Sequence, residues 1–193
     1  MRVSGGSLAG RRLIGPPRSA RADLRPTTDR VREALFSVLG EAVLGARVLD
    51  LYCGTGAVAI EALSRGADSA VLIDNEVRLA QSNLDALGLS SRVELRRGDV
   101  GGWLERLIER DREARFDLIF CDPPYNIADR VGQSLQHPLA ALLAPTGRVV
   151  LEGSSQGNLE FKALARLDRR SYGATRLTFY ASPDTSDQRD GEQ

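Results

Sequence analysis

The residues Asp122-Pro123-Pro124-Tyr125 follow Phe116-Asp117-Leu118-Ile119-Phe120-Cys121, a run that reads as a buried strand. An acid, two prolines and an aromatic at a strand's carboxyl tip form a stiff acceptor cluster. Each proline holds φ at about −65° and has no N–H to donate. Their carbonyls and the Asp122 oxygens can only accept, beside the flat face of Tyr125. Such a cluster suits a planar group carrying an –NH2, that is, an amino-bearing base.

Three further strand tips carry acids. The first reads Asp50-Leu51-Tyr52-Cys53-Gly54-Thr55-Gly56-Ala57, the second Asp74-Asn75-Glu76 and the third Gly98-Asp99-Val100. One acid at a strand end means little, but an acid at every tip is a constellation. The first loop also fits a dinucleotide fingerprint, because Gly54-x-Gly56-x-x-Ala59 follows a strand and opens a helix, with Asp74 downstream. A dinucleotide would set its pyrophosphate on the helix N-terminus, where amides favour anions. Asp50 and Asp99 would repel it. S-adenosylmethionine carries an ammonium and a sulfonium and no phosphate, so acidic tips suit it. In that reading Asp74 accepts the ribose hydroxyls and Asp99 accepts from the adenine amine.

The elements that must position these tips alternate. Residues 1–17 read as a Gly-broken hairpin, Arg2–Ser4 with Arg12–Ile14. Thr28 is placed to cap an amphipathic helix bearing Val31, Ala34, Leu35, Val38 and Leu39, with Gly40 as its stop. Strands are expected at 47–52, 70–73, 93–96, 116–121 and 148–152, with helices at 57–64, 77–87, 103–110 and near 135–143. Two late strands, 165–171 and 175–180, lack a helix between them and read as an antiparallel hairpin. Alternating apolar strands and helices argue a doubly wound, mostly parallel α/β sheet. Trp103 reads as core, and His137, ahead of Pro138, as a loop or capping residue. The organisation expected is a basic hairpin extension over residues 1–24, a catalytic domain over 25–182 and a disordered acidic tail over 183–193.

Composition narrows the class. The chain has 193 residues, 42% hydrophobic and 27% charged, as a single soluble domain would. Residues 1–32 carry eight arginines against Asp23 and Asp29, while Lys162 is the only lysine of the chain. Cys53 and Cys121 are far apart, which argues against a disulfide scaffold or zinc site. No apolar stretch approaches a membrane span, and the first residues lack a secretory apolar core, so a cytoplasmic location without membrane or metal is expected. Cys121 precedes Asp122 and reads as strand packing rather than as a nucleophile.

Two runs carry a family resemblance: Val48-Leu49-Asp50-Leu51-Tyr52-Cys53-Gly54-Thr55-Gly56 and Asp122-Pro123-Pro124-Tyr125. With them the chain resembles class I methyltransferases that act on exocyclic amines. With Arg25-Pro26-Thr27-Thr28-Asp29-Arg30-Val31-Arg32-Glu33-Ala34-Leu35-Phe36 it is similar, over about residues 1–182, to the RsmD family. The resemblance implies a Rossmann-like sheet of seven strands and methyl transfer from S-adenosylmethionine to the N2 amine of one guanine in small-subunit (16S) ribosomal RNA. It implies cofactor contacts at Asp50, Tyr52, Gly54, Gly56, Asp74, Asn75, Asp99 and Val100, and catalysis at Asp122, Pro123, Pro124 and Tyr125. Asp74 stands where the family often has glutamate.

Arg11, Arg12, Arg18, Arg21, Arg25, Thr27 and Arg30 are the expected RNA contacts, with Arg32 facing the same surface; arginines pair with phosphates irrespective of sequence. One guanine selected by shape argues a ribosomal particle or assembly intermediate as substrate, and a monomeric enzyme is favoured. The tetrad alone does not choose among DNA, RNA and protein amides. A DNA amine methyltransferase would need a target-recognition insert, for which this chain has little room, and a binding module with a vestigial fold would not bind the cofactor.

Overall fold

The computed structural model describes residues 1–16, 29–124 and 127–183. Arg18, Arg21, Arg25, Thr27, Thr28, Tyr125 and the tail from Asp184 lie outside the described residues.

Among the described residues twelve main elements follow in order: α1 (Asp29–Leu39), β1 (Arg47–Leu51), α2 (Ala57–Ser64), β2 (Ser69–Asp74), α3 (Arg78–Leu87), β3 (Val93–Arg97), α4 (Val100–Arg110), β4 (Phe116–Cys121), α5 (Ala128–Leu142), β5 (Leu143–Ser154), β6 (Ala165–Tyr172) and β7 (Thr175–Ala181). The seven strands form one sheet in the order β3-β2-β1-β4-β5-β7-β6. The pairs β1–β2, β2–β3 and β4–β5 are parallel, each joined through a helix. β7 runs antiparallel to both β5 and β6, because only Gly173-Ala174 separates β6 from β7 and so short a link can only reverse the chain. The doubly wound, mostly parallel sheet is the architecture expected.

Two compact units divide the chain, Met1–Val100 and Gly101–Gln193. In the first, Val48, Leu49 and Leu51 are buried on both faces of β1, as a central parallel strand requires. α2 is buried almost all round, including its polar Glu61 and Ser64. The N-terminal segment explains this, because it lies on α2. Ser4 donates from its backbone N–H to Glu61 Oε2 at 2.8 Å and from its hydroxyl to Oε1 at 2.7 Å. The Leu8 N–H donates to Ser64 Oγ at 2.9 Å, and that hydroxyl donates to the Gly5 carbonyl at 2.6 Å. Gly6 has φ +76°, and a Cβ there would stand 1.9 Å from the Ser64 carbonyl oxygen, so only glycine fits this approach.

The expected hairpin is not formed as two strands. A single antiparallel bridge joins Arg2 to Arg12, and a 3-10 turn at Gly6–Leu8 interrupts it. Three backbone bonds still pair the two arms, from the N–H groups of Val3, Gly10 and Leu13 to the carbonyls of Arg11 at 3.0 Å, Val3 at 2.9 Å and Met1 at 3.1 Å, while further bonds tie the segment to α2.

Arg32 is a second correction. Rather than facing RNA, it is fully buried between Asp29 at 3.0 Å and Glu61 at 3.1 Å, and it donates to the Arg2 carbonyl. Burial alone would raise the Glu61 carboxyl. Hydrogen bonds from Ser4, Arg65 and Arg32 outweigh it and hold the group below its ordinary value.

In the second unit, α5 starts earlier than expected and runs through Pro138. Its buried face, Val131, Leu135, Leu139 and Leu142, keeps helical spacing across the proline. His137 is therefore exposed in mid-helix rather than in a loop. β5 begins directly after α5 and is longer than the apolar run that announced it. Trp103 is half-buried, while Leu104 and Leu107 of the same helix are in the core.

Candidate active site

The first unit holds the glycine loop. As β1 ends, Tyr52 takes φ +61°, the one non-glycine residue with positive φ among those described. Such a conformation costs about 1–2 kcal/mol, and here it turns the chain sharply into the loop. Gly54 and Gly56 follow with φ +53° and +73°. A Cβ on Gly56 would meet Leu72 Cδ2 at 3.2 Å and Ala80 Cβ at 3.4 Å, whereas one on Gly54 would meet nothing within 4 Å. Gly56 is thus a packing glycine, and Gly54 leaves an open face.

Asp74, half-buried at the tip of β2, fixes this loop. Its Oδ2 accepts the Gly54 N–H at 2.9 Å and its Oδ1 accepts the Glu76 N–H at 3.1 Å. Each oxygen keeps a lone pair for a further donor such as a hydroxyl. Asn75 and Asp99 are exposed at their tips, and Val100 is buried at the head of α4.

Asp50 lies deeper than a strand-tip ligand. It is 4% exposed, and its Oδ2 accepts the Ala59 N–H in the first turn of α2 at 3.2 Å. Burial pushes its carboxyl up to about 7, against the lowering effect of that bond, and nearby Asp74 adds to the rise. So raised, the carboxyl repels a pyrophosphate less than a full carboxylate would, and the exclusion rests on where it sits. A carboxyl of the protein already occupies the helix turn where phosphates bind. The donor and acceptor set of the loop therefore fits a diol and a cation.

Asn83 was missed in the sequence. It is buried on α3, donates to the carbonyls of Thr55 at 3.0 Å and Ile14 at 3.0 Å, and accepts from the Ile14 N–H at 2.7 Å. One carboxamide ties the glycine loop to the N-terminal segment. An asparagine inside an amphipathic helix was the available signal.

The second unit holds the tetrad. β4 delivers Asp122 half-buried, Pro123 buried and Pro124 exposed. The Pro124 carbonyl accepts the Ile127 N–H at 3.0 Å, which pins the turn into α5. Pro123 opens on a cleft of about 310 Å³ lined also by Ala128, Gly153, Ser154, Gly157, Asn158 and Leu159. That volume is at the lower end of small-molecule pockets, about 300–1,000 Å³.

Cys121 is buried in β4 and unbonded to another cysteine, as packing predicts. Burial, with Asp50 and Asp74 close by, holds the Cys53 thiol well above its ordinary value. Among the described residues no group of three or more His, Cys, Asp or Glu could hold a metal, and no helix is long and apolar enough to cross a membrane. Of the expected RNA contacts, Arg11, Arg12 and Arg30 are exposed.

A family model described as conserved hypothetical protein 95 matches residues 1–181, both units and the N-terminal segment together. The chain belongs to this family. Among curated relatives, YlbH of Bacillus subtilis is 40% identical over 128 residues, 65% of this chain and 67% of that protein. The ribosomal RNA small subunit methyltransferase D of Escherichia coli is 33% identical over 127 residues, 65% of this chain and 60% of that protein. A solved structure from Thermus thermophilus, of a hypothetical protein, superposes with a TM-score of 0.78 at 30% identity, covering 94% of this chain and 99% of that one. The resemblance to the RsmD family read from the motifs is the family the comparisons show, and the fold is that of S-adenosylmethionine-dependent methyltransferases.

Proposed function

We propose that this RsmD-family chain transfers a methyl group from S-adenosylmethionine to the exocyclic N2 amine of a guanine in small-subunit ribosomal RNA. The single observation that carries the reading is the stiff acceptor tip of β4, with Pro123 opening on a cleft large enough for a base. The named relative methylates small-subunit ribosomal RNA by its description, which supports the substrate.

The cofactor, when bound, supplies a sulfonium-activated methyl group. Asp74 would accept its ribose hydroxyls, Gly54 would let it lie along the backbone of a turn that Gly56 packs, and Asp99 would accept from its adenine amine. Tyr52, Asn75 and Val100 line the same loops, while Asp50 shapes the loop from beneath. Asp122 and the Pro123 carbonyl each accept one N–H of the guanine amine. That draws the nitrogen lone pair out of ring conjugation and aims it at the methyl carbon. With the methyl donor bound, the amine would displace its sulfur from the methyl carbon, and Asp122, already accepting an N–H, would be placed to take the proton the nitrogen gives up. Positioning supplies most of the rate. Tyr125 stacks the base once it leaves its helix, a contact worth about 1–3 kcal/mol.

Arg11, Arg12, Arg18, Arg21, Arg25, Thr27 and Arg30 hold the RNA backbone. The substrate is a small-subunit particle or assembly intermediate, met by a monomer in the cytoplasm. The test is Asp122→Ala. It should lower kcat by at least about 100-fold, the cost of lost alignment, while S-adenosylmethionine affinity stays within twofold by calorimetry. A folded Asp122→Ala protein with full activity on small-subunit particles would refute the mechanism.

A further inference from the structure

The wall opposite Pro123 in the cleft is the loop after β5, and its construction is unusual. The Arg176 Nη1 donates to the Gly157 carbonyl at 2.7 Å, and Nη2 donates to the Ser155 carbonyl. The Ser155 N–H donates to the Ala174 carbonyl at 2.9 Å, and the Gly157 N–H to the Ser154 carbonyl at 3.0 Å. The Gln156 N–H donates to Ser154 Oγ at 3.2 Å, so the Ser154 O–H keeps its proton for an outside acceptor. The Arg176 Nε is buried and has no hydrogen-bond partner among the described residues, a cost accepted for holding the loop. A surface loop with no task does not need a guanidinium clamp.

Two features face the cleft. Asn158 is exposed among its lining residues, and its carboxamide has no hydrogen-bond partner among the described residues. Gly153 lines it too, where a Cβ would meet nothing within 4 Å, so the missing side chain leaves the space open.

We infer that segment 153–159, the end of β5 and the loop after it, is the specificity wall of the base site, resting on the function proposed above. Asn158 reads the lactam edge of the extruded guanine: its carboxamide oxygen accepts the ring N1–H and its amide nitrogen donates to O6. Ser154 offers a second donor to the base, Gly153 keeps the floor clear, and Arg176 is a positioning residue that holds the loop in register. The geometry pairs one cis-amide with another, a two-bond match that the pyrimidine uracil could share only at a smaller ring.

The experiment uses small-subunit particles lacking the modification, labelled S-adenosylmethionine and full-length protein. Gly153→Leu should keep its fold, because the site is a strand position with open space, and should lose methyl transfer by at least about 100-fold while binding S-adenosylmethionine normally. Asn158→Ala should raise KM for particles about tenfold, as one lost buried pairing does, with kcat changed less. Arg176→Gln should raise KM and lower kcat without moving cofactor affinity, and Arg176→Lys should restore part of the loss. Wild-type kinetics in both Gly153→Leu and Asn158→Ala would overturn the inference. A wild-type protein that fails to methylate the particles would overturn the underlying function, and the wall's role with it.

Discussion

Asp50 shows how burial and a hydrogen bond oppose each other at one residue. Its carboxyl rises from 3.8 to about 7, so the folded chain holds the proton more tightly than the unfolded chain. Its stabilising contribution is fully present below pH 3.8 and is lost as pH rises through about 7. Asp50→Asn keeps an oxygen for the Ala59 N–H and removes that dependence. Urea unfolding should show the variant gaining on the wild type between pH 4 and 8, by on the order of a few kcal/mol; parallel pH profiles would contradict this. Glu61 has the opposite sign. Its lowered carboxyl stabilises the fold above the ordinary glutamate range, and the benefit is lost as pH falls. Glu61→Gln leaves buried Arg32 without its main counter-charge, so it should cost about 3–5 kcal/mol at neutral pH, read as a shifted urea midpoint. Neither Glu61 nor Arg32 was legible as a buried pair. They are 29 residues apart, and only the N-terminal segment lying on α2 removes their water. The places of Asp74 and Asp122 at strand ends were legible, because strand tips can be counted from apolar runs.

Elements set what those side chains can reach. The strand before the tetrad, Phe116–Cys121, and helix Ala57–Ser64 were readable to the residue, since six apolar-rich positions and an Ala-rich turn leave little ambiguity. The start of α5 was not, because Pro138 suits the first turn of a helix, whereas it stands well inside one that begins at Ala128. The N-terminal arms pair less regularly than two strands would, because the bonds to Glu61 and Ser64 cannot be seen in one segment. At the loop itself, two glycines part ways. Gly56→Ala should cost about 1–3 kcal/mol of stability, from left-handed strain and the crowding by Leu72 and Ala80. Gly54→Ala faces open space, so its loss should fall more on S-adenosylmethionine affinity than on the melting temperature. Paired calorimetry and thermal melts separate the two, and an equal loss of cofactor affinity in both would contradict the assignment.

At the scale of the whole molecule, the proposed function puts the chemistry on strand tips and the choice of substrate on the basic N-terminus. Arg11 and Arg12 sit exposed on a segment fastened to α2, so their charge can be reversed without disturbing the core. Arg11→Glu with Arg12→Glu should weaken RNA binding and flatten its salt dependence, by about 0.7–0.9 in slope for each phosphate no longer neutralised, with cofactor affinity unchanged. Loss of both affinities would instead point to misfolding. The central claim is tested most directly by methylating small-subunit particles from a strain lacking this gene and identifying the modified nucleoside by mass spectrometry. The account predicts one methyl group per particle, on the N2 amine of a single guanine, absent with Asp122→Ala. Methylation of another base, or of particle protein, would contradict it.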